Sequence, residues 1–271
     1  DAMTVLQRDH PHRHDQPVIE LDGVSVAYRG QPALEDLSLK VYCGERIAVI
    51  GPNGAGKTTL FKAVLGLVPL SSGRIRLFGG EVKRGCMRVG YVPQREAVNW
   101  DFPITVAEVV MMGRYGRLGW LRQPTAADWA AVQDALAQVE MGAFAGRQIG
   151  QLSAGQQQRV FIARALAQEA EVLLLDEPFT GVDVTTQHTL FELIARFRRK
   201  GCAVLVATHD LNTVMGNFDR VLCLNRRAIA YGPPDEVFNT DVLSETYGSQ
   251  LVVLPAELTR LVVDDAHGHF G

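Results

Sequence analysis

Apolar residues recur along this chain in two rhythms, short unbroken runs and longer helical stripes. Arg46-Ile47-Ala48-Val49-Ile50 is a run of strand length, as are Val172–Leu175 and Ala203–Ala207. Continuous apolar runs suit strands buried on both faces. Helical periodicity separates them, near 156–168 and 185–200, and strands alternating with helices predict an α/β fold with a mostly parallel core sheet. Val18-Ile19-Glu20-Leu21 and Val24-Ser25-Val26-Ala27-Tyr28 alternate instead, which predicts one-sided strands at an antiparallel β edge. A helix is expected from Thr58 to about Leu65, closed by Gly66. Between about 95 and 150 the strand signal gives way to helical patterns around Thr105–Met112 and Ala126–Val139, interrupted by Gly113, Gly116, Gly119 and Pro124. This stretch predicts an inserted helical subdomain.

At 271 residues the chain has room for one sizeable domain and a small subdomain. The domain is expected over 18–242, with tails at 1–17 and 243–271. A net charge of −3 provides no basic field, so no nucleic-acid partner is expected. No apolar run approaches the roughly 18 to 20 residues of a membrane helix. The polar first residues do not read as a signal peptide, and Met3 is read as the native start. Cys43, Cys86, Cys202 and Cys223 lack metal-site spacing and are expected to be buried as small apolar residues, in a reduced cytoplasmic compartment. His10, His12, His14, His267 and His269 lie in the tails and read as incidental rather than as metal ligands.

The candidate chemistry starts at residues 51–58, Gly-Pro-Asn-Gly-Ala-Gly-Lys-Thr, which match the phosphate-loop pattern GxxxxGK[ST] between a strand and a helix. The loop Gly51, Pro52, Asn53, Gly54, Ala55 and Gly56 is expected to form an anion nest at a helix N-terminus, from the backbone N–H groups of all but Pro52. Lys57 is expected on the β- and γ-phosphates, Thr58 on Mg²⁺ and Thr59 on a phosphate. Val172–Leu175 runs into Asp176-Glu177, placing two carboxylates off a buried strand: Asp176 for Mg²⁺ through water, Glu177 as general base. A second element, Leu152-Ser153-Ala154-Gly155-Gln156, lies 20 residues before that pair. Ser153 and Gly155 sit where a helix begins, so hydroxyl, backbone N–H and dipole can face an anion.

Together these motifs resemble the ATP-binding cassette (ABC) family over about Val18–Val242. The resemblance implies a P-loop NTPase fold, the ABC-type nucleotide-binding domain, with ATP and Mg²⁺ as cofactors. It also implies a homodimer in the ATP state, two copies closing head to tail. Ser153, Gly155 and Gln156 then belong to the family's signature and face the γ-phosphate bound by the second copy. Ala154 departs from that signature, which has glycine at its position. Gln94, in Tyr91-Val92-Pro93-Gln94, matches the Q-loop, a Mg²⁺ and water contact. His209 matches the switch histidine, Asp183 the D-loop at the dimer interface, and Tyr28 the aromatic that stacks adenine.

Val92–Arg95, Asn99–Pro103, Met111–Arg114 and Phe179–Val184 are similar to a narrower branch, the ATPases of manganese, zinc and ferrous-iron importers. That likeness implies an ATPase on the cytoplasmic face of the membrane, bound to integral-membrane permease subunits. An extracytoplasmic metal-binding protein is the indirect partner. Manganese is the expected cargo, with zinc or ferrous iron next, and it rests on kinship alone. The competing readings are a soluble ABC ATPase without a transport role, an importer of another small substrate such as a metal chelate, and a phosphotransferase on the same loop. The last would leave the signature and His209 unexplained.

Overall fold

The computed structural model describes residues 16–82, 85–118, 122–248, 251–253 and 261–263. Met3, Gly119 and the histidines at 10, 12, 14, 267 and 269 lie outside the described residues. A hairpin of β1 (Ile19–Tyr28) and β2 (Gln31–Val41) comes first, then β3 (Arg46–Ile50), α1 (Lys57–Val64), β4 (Ser72–Leu77), β5 (Gly80–Glu81) and β6 (Val89–Val92). Next are α2 (Val106–Leu118), α3 (Ala126–Gln138) and α4 (Ala154–Gln168). The sheet resumes with β7 (Val172–Asp176), crosses through α5 (Val184–Arg199) to β8 (Ala203–Thr208), and continues into β9 (Arg220–Asn225) and β10 (Arg227–Gly232). Last come α6 (Pro234–Val237), α7 (Thr240–Tyr247) and the short pair β11 (Leu251–Val253) and β12 (Leu261–Val263).

The core sheet has the order β10-β9-β3-β8-β7-β6, parallel throughout except for β10, which returns antiparallel on β9. Its three central strands are the unbroken apolar runs of the sequence, and β7 and β8 are buried at every residue. Register aligns Ile50 with Thr208 and Asp176 with Ala207. The loops that leave β3, β7 and β8 therefore emerge side by side at the carboxyl edge of the sheet, where open α/β sheets bind ligands.

The antiparallel sheet, β2-β1-β4-β5, is separate from the core sheet. Val18–Leu21 and Val24–Tyr28 are one strand and not two, and that strand is interior and not an edge, flanked by β2 and β4. The gap between them is a bulge: register shifts between Leu21 and Val24, at Gly23 with φ of +61°. One extra residue keeps Ile19, Leu21, Val24 and Val26 on the buried face although the spacing breaks period two.

The predicted helical stretch is present, with two differences. Helix α2 continues through Gly113 and Gly116 instead of stopping. Gly113 is buried where α2 crosses α4, and a methyl group there would collide with the Arg164 carbonyl oxygen. The glycine thus serves close packing and not a break. Helix α4, beyond residue 150, packs on both α2 and α3. Val110, Met111, Leu136 and Val160 share one apolar cluster with Leu173 and Leu175 of the sheet, so the helical layer has no core of its own. Helix α7 crosses residue 242, the expected domain end, and buries Leu243 and Tyr247 beside β9. Cys202 and Cys223 are buried, which raises both thiols, the latter to about 11, while Cys43 and Cys86 are only partly buried.

Candidate functional site

The loop after β3 is built to leave its backbone facing outward. Gly56 has φ of +100°, and a side chain there would come within 2.6 Å of the Ala33 carbonyl oxygen. Only glycine meets both conditions. Behind the loop, the Arg226 N–H donates to the Ala55 carbonyl at 2.8 Å, anchoring it to the β9–β10 turn. Lys57 is buried; its ammonium donates to the carbonyls of Gly51 at 2.7 Å and Pro52 at 3.1 Å. Those two residues hold the lysine, which together with Asn53, Gly54, Ala55, Gly56, Thr58 and Thr59 lines a cavity of about 250 Å³. Tyr28, Ala33, Gln94 and Glu177 complete its walls, with Tyr28 at the rim and 44% exposed.

The two carboxylates that end β7 have opposite electrostatics. Asp176 is 2% exposed, and this burial raises its carboxyl above the ordinary value. Hydrogen bonds from Thr58 and from the Tyr91 hydroxyl, the latter at 3.2 Å, oppose the rise. Glu177 moves the other way. Its bond with His209, whose Nδ1 lies 3.4 Å from Oε2, holds the carboxyl below the ordinary value against the effect of burial. The Lys57 ammonium, 3.8 Å from Oε1, acts in the same direction. Glu177 has φ of +50°, a backbone region costly for a side chain, and its N–H donates to the Ala207 carbonyl at 3.0 Å. Glu177 thereby stands in the cavity wall.

Thr58 and Asp176, bonded to each other, and the Gln94 amide nearby form a set of hard oxygen donors beside the phosphate loop. Such donors suit a small divalent cation that keeps most of its water. Among the described residues no group of three or more His, Cys, Asp or Glu side chains is gathered to hold a metal ion, and no helix is long and apolar enough to cross a membrane.

Ser153, Gly155, Gln156 and Asp183 are not part of this cavity. Ser153 caps α4: its Oγ accepts from the Gln156 N–H at 3.4 Å, and Gln156 Oε1 accepts from the Ser153 N–H at 2.9 Å. Gln156 is thus turned back on its own helix. Asp183 caps α5 by accepting from the Thr186 N–H at 2.9 Å and hydroxyl at 2.8 Å, bonds that lower its carboxyl. Thr186 in turn packs on Gly155, where a methyl group would approach its Cγ2 to 2.8 Å. Two clusters result, the cavity at the glycine-rich loop and a pair of capped helix N-termini.

Sequence reasoning missed Tyr91 and Arg95. Tyr91 reaches Asp176 as described. The Arg95 guanidinium donates to Gln157 Oε1 at 3.2 Å, and Gln157, 3% exposed, donates to the Ile149 carbonyl. A polar-tipped residue near the end of the apolar strand Val89–Val92 was the available signal for Tyr91; nothing local marks Arg95.

The sequence profile of the ABC transporter family matches residues 34–180. The manganese transport system ATP-binding protein MntB of Bacillus subtilis is 51% identical over 236 residues, covering 87% of this chain and 94% of that protein. The zinc transport system ATP-binding protein TroB of Treponema pallidum is 48% identical, covering 86% and 88%. Among solved structures, CbiO1 of Clostridium perfringens, part of the ABC transporter complex CbiONQ, superposes with a TM-score of 0.72 at 27% identity, covering 85% of this chain and 94% of that one.

Proposed function

The chain belongs to the ABC transporter family, and from that membership we propose that it is the ATP-hydrolysing subunit of a divalent transition-metal importer, for manganese first and zinc or ferrous iron next. The observation that carries the cargo is the 51% identity to a manganese-system ATPase across 87% of the chain. Adenine stacks on Tyr28, and the phosphates enter the Gly51–Thr59 loop, where Lys57 exchanges carbonyl oxygens for phosphate oxygens. Thr58, Asp176 and Gln94 are the residues that would hold Mg²⁺, which supplies positive charge against the phosphoryl oxygens. Glu177, ionised at neutral pH, accepts a proton from the attacking water, and His209 orients Glu177 and meets the γ-phosphate.

The cavity lacks Ser153, Gly155, Gln156 and Asp183 from its own chain. In this reading a second copy, docked head to tail, brings its α4 N-terminus over the phosphates and its Asp183 across the interface. Closing and reopening of that dimer drives permease subunits at the cytoplasmic face of the membrane, through the helical layer around Thr105–Leu118. The metal reaches the permease from an extracytoplasmic binding protein. Metal selection belongs to those partners.

The test is accumulation of radiolabelled manganese, with zinc and iron in parallel, in cells whose only copy of this chain carries Lys57→Ala. Loss of manganese uptake with the other metals less affected is the expected result. Unchanged accumulation of all three metals refutes the cargo and leaves the ATPase reading standing.

A further inference from the structure

We propose that Tyr91 is a positioning residue for the divalent cation of the nucleotide site, acting through Asp176. The inference rests on the reading of Asp176 as a partner of that cation.

Tyr91 pairs with Leu174 in the parallel register of β6 on β7. Leu174 and Asp176 are two residues apart and so point to one face of the sheet, the face Tyr91 shares. Its hydroxyl donates to Asp176 Oδ2 at 3.2 Å. A phenol keeps its proton at neutral pH, so Tyr91 is the donor and the ionised carboxylate the acceptor. Thr58 is the other side-chain donor to Asp176. A threonine oxygen that ligates a cation through a lone pair still directs its proton to the carboxylate. Two donors from different elements thereby fix the plane of the carboxylate.

The backbone of Tyr91 is itself anchored. Arg164 of α4 donates from Nη2 to the Tyr91 carbonyl at 2.6 Å, and its guanidinium lies 4.5 Å from the centre of the Phe161 ring. Tyr91 is thus tied to α4 by its backbone and to β7 by its hydroxyl. Without the hydroxyl, Asp176 keeps one side-chain hydrogen bond of the two, one oxygen loses its buried partner, and the carboxylate is free to turn. Partners that orient a metal's contacts in this way are worth about 10- to 100-fold in metal affinity.

The experiment uses the full chain with Tyr91→Phe, which keeps the ring and removes only the donor. ATP binding is titrated by calorimetry in excess EDTA and then at rising Mg²⁺; Mn²⁺ replaces Mg²⁺ in a parallel series read by electron paramagnetic resonance. The expected result is unchanged ATP affinity in EDTA and a half-saturating cation concentration raised on the order of 10-fold. An unaltered cation midpoint overturns the proposal, as does an equal loss of ATP affinity with and without cation, which marks a structural role only. If the wild-type chain gains no ATP affinity from either cation, the reading of Asp176 fails first and the proposal with it.

Discussion

Replacing Gly113 by alanine tests whether the contact between α2 and α4 is set by backbone approach. A methyl group at this position would collide with the Arg164 carbonyl oxygen and sit 3.2 Å from the Gln168 amide nitrogen. Both atoms are backbone of the facing helix, so no side chain can rotate away and the helices must separate. Overpacking of this kind costs about 1–3 kcal/mol. Alanine recovers about 1 kcal/mol of helix propensity over glycine. The net effect is a destabilisation of up to about 2 kcal/mol. At about 2–4 °C per kcal/mol for a chain of this size, the unfolding midpoint should fall by up to about 8 °C. Gly146 is the control: it is exposed, and no atom lies within 4 Å of where its methyl group would be. Gly146→Ala should stay within about 0.5 kcal/mol of the wild type. Thermal unfolding followed by near-ultraviolet circular dichroism, on both variants without nucleotide, measures the difference. A Gly113→Ala midpoint above that of the wild type would refute the packing argument.

Glu177→Gln should lower single-turnover ATP hydrolysis by roughly 10²- to 10⁴-fold while ATP still binds, because the amide keeps the shape and lacks the basicity. The same variant should shift from monomer toward dimer on adding ATP–Mg²⁺, read by light scattering, and equal masses in both conditions would count against the shared site. Without nucleotide the wild type should exceed this variant in thermal midpoint at pH 7. A carboxyl held below its ordinary 4.5 contributes stability above that value, so the gap should narrow as pH falls below 4.5. Asp176→Asn should act oppositely and raise the nucleotide-free midpoint at pH 7. Burial lifts the Asp176 carboxyl, so its ionised form is the costly one, and the gain should shrink as acid protonates the wild-type aspartate. A nucleotide-free Asp176→Asn chain less stable than the wild type at pH 7 would contradict that assignment.

The phosphate loop and the Asp176-Glu177 pair were legible because their requirements are local. A loop that must turn sharply around an anion needs glycine at given spacings, and carboxylates at the mouth of a parallel sheet follow an unbroken apolar run. The central strands were legible for the same reason, since burial on both faces leaves no polar position. By contrast, β2, β4 and β10 carry mixed patterns. In β2, Leu34 and Leu37 face inward across a register shift, with Asp36 between them at φ of +49°. The bulge at Gly23 likewise broke one strand into two apparent ones, because period two fails wherever a bulge inserts a residue.

Sequence by itself therefore determined the α/β class, which runs become buried strands, and the place of the glycine-rich loop between β3 and α1. Tertiary structure alone decided that Gly113 is a point of helix contact, that Tyr91 and Thr58 hold Asp176, and that Lys57 and His209 flank Glu177. It also decided that Ser153 and Gly155 stand apart from the cavity and beside Asp183 and Thr186. Each of these joins residues distant in the chain through the packing of separate elements. No local period or spacing encodes such a meeting, because it exists only after the strands and helices have docked.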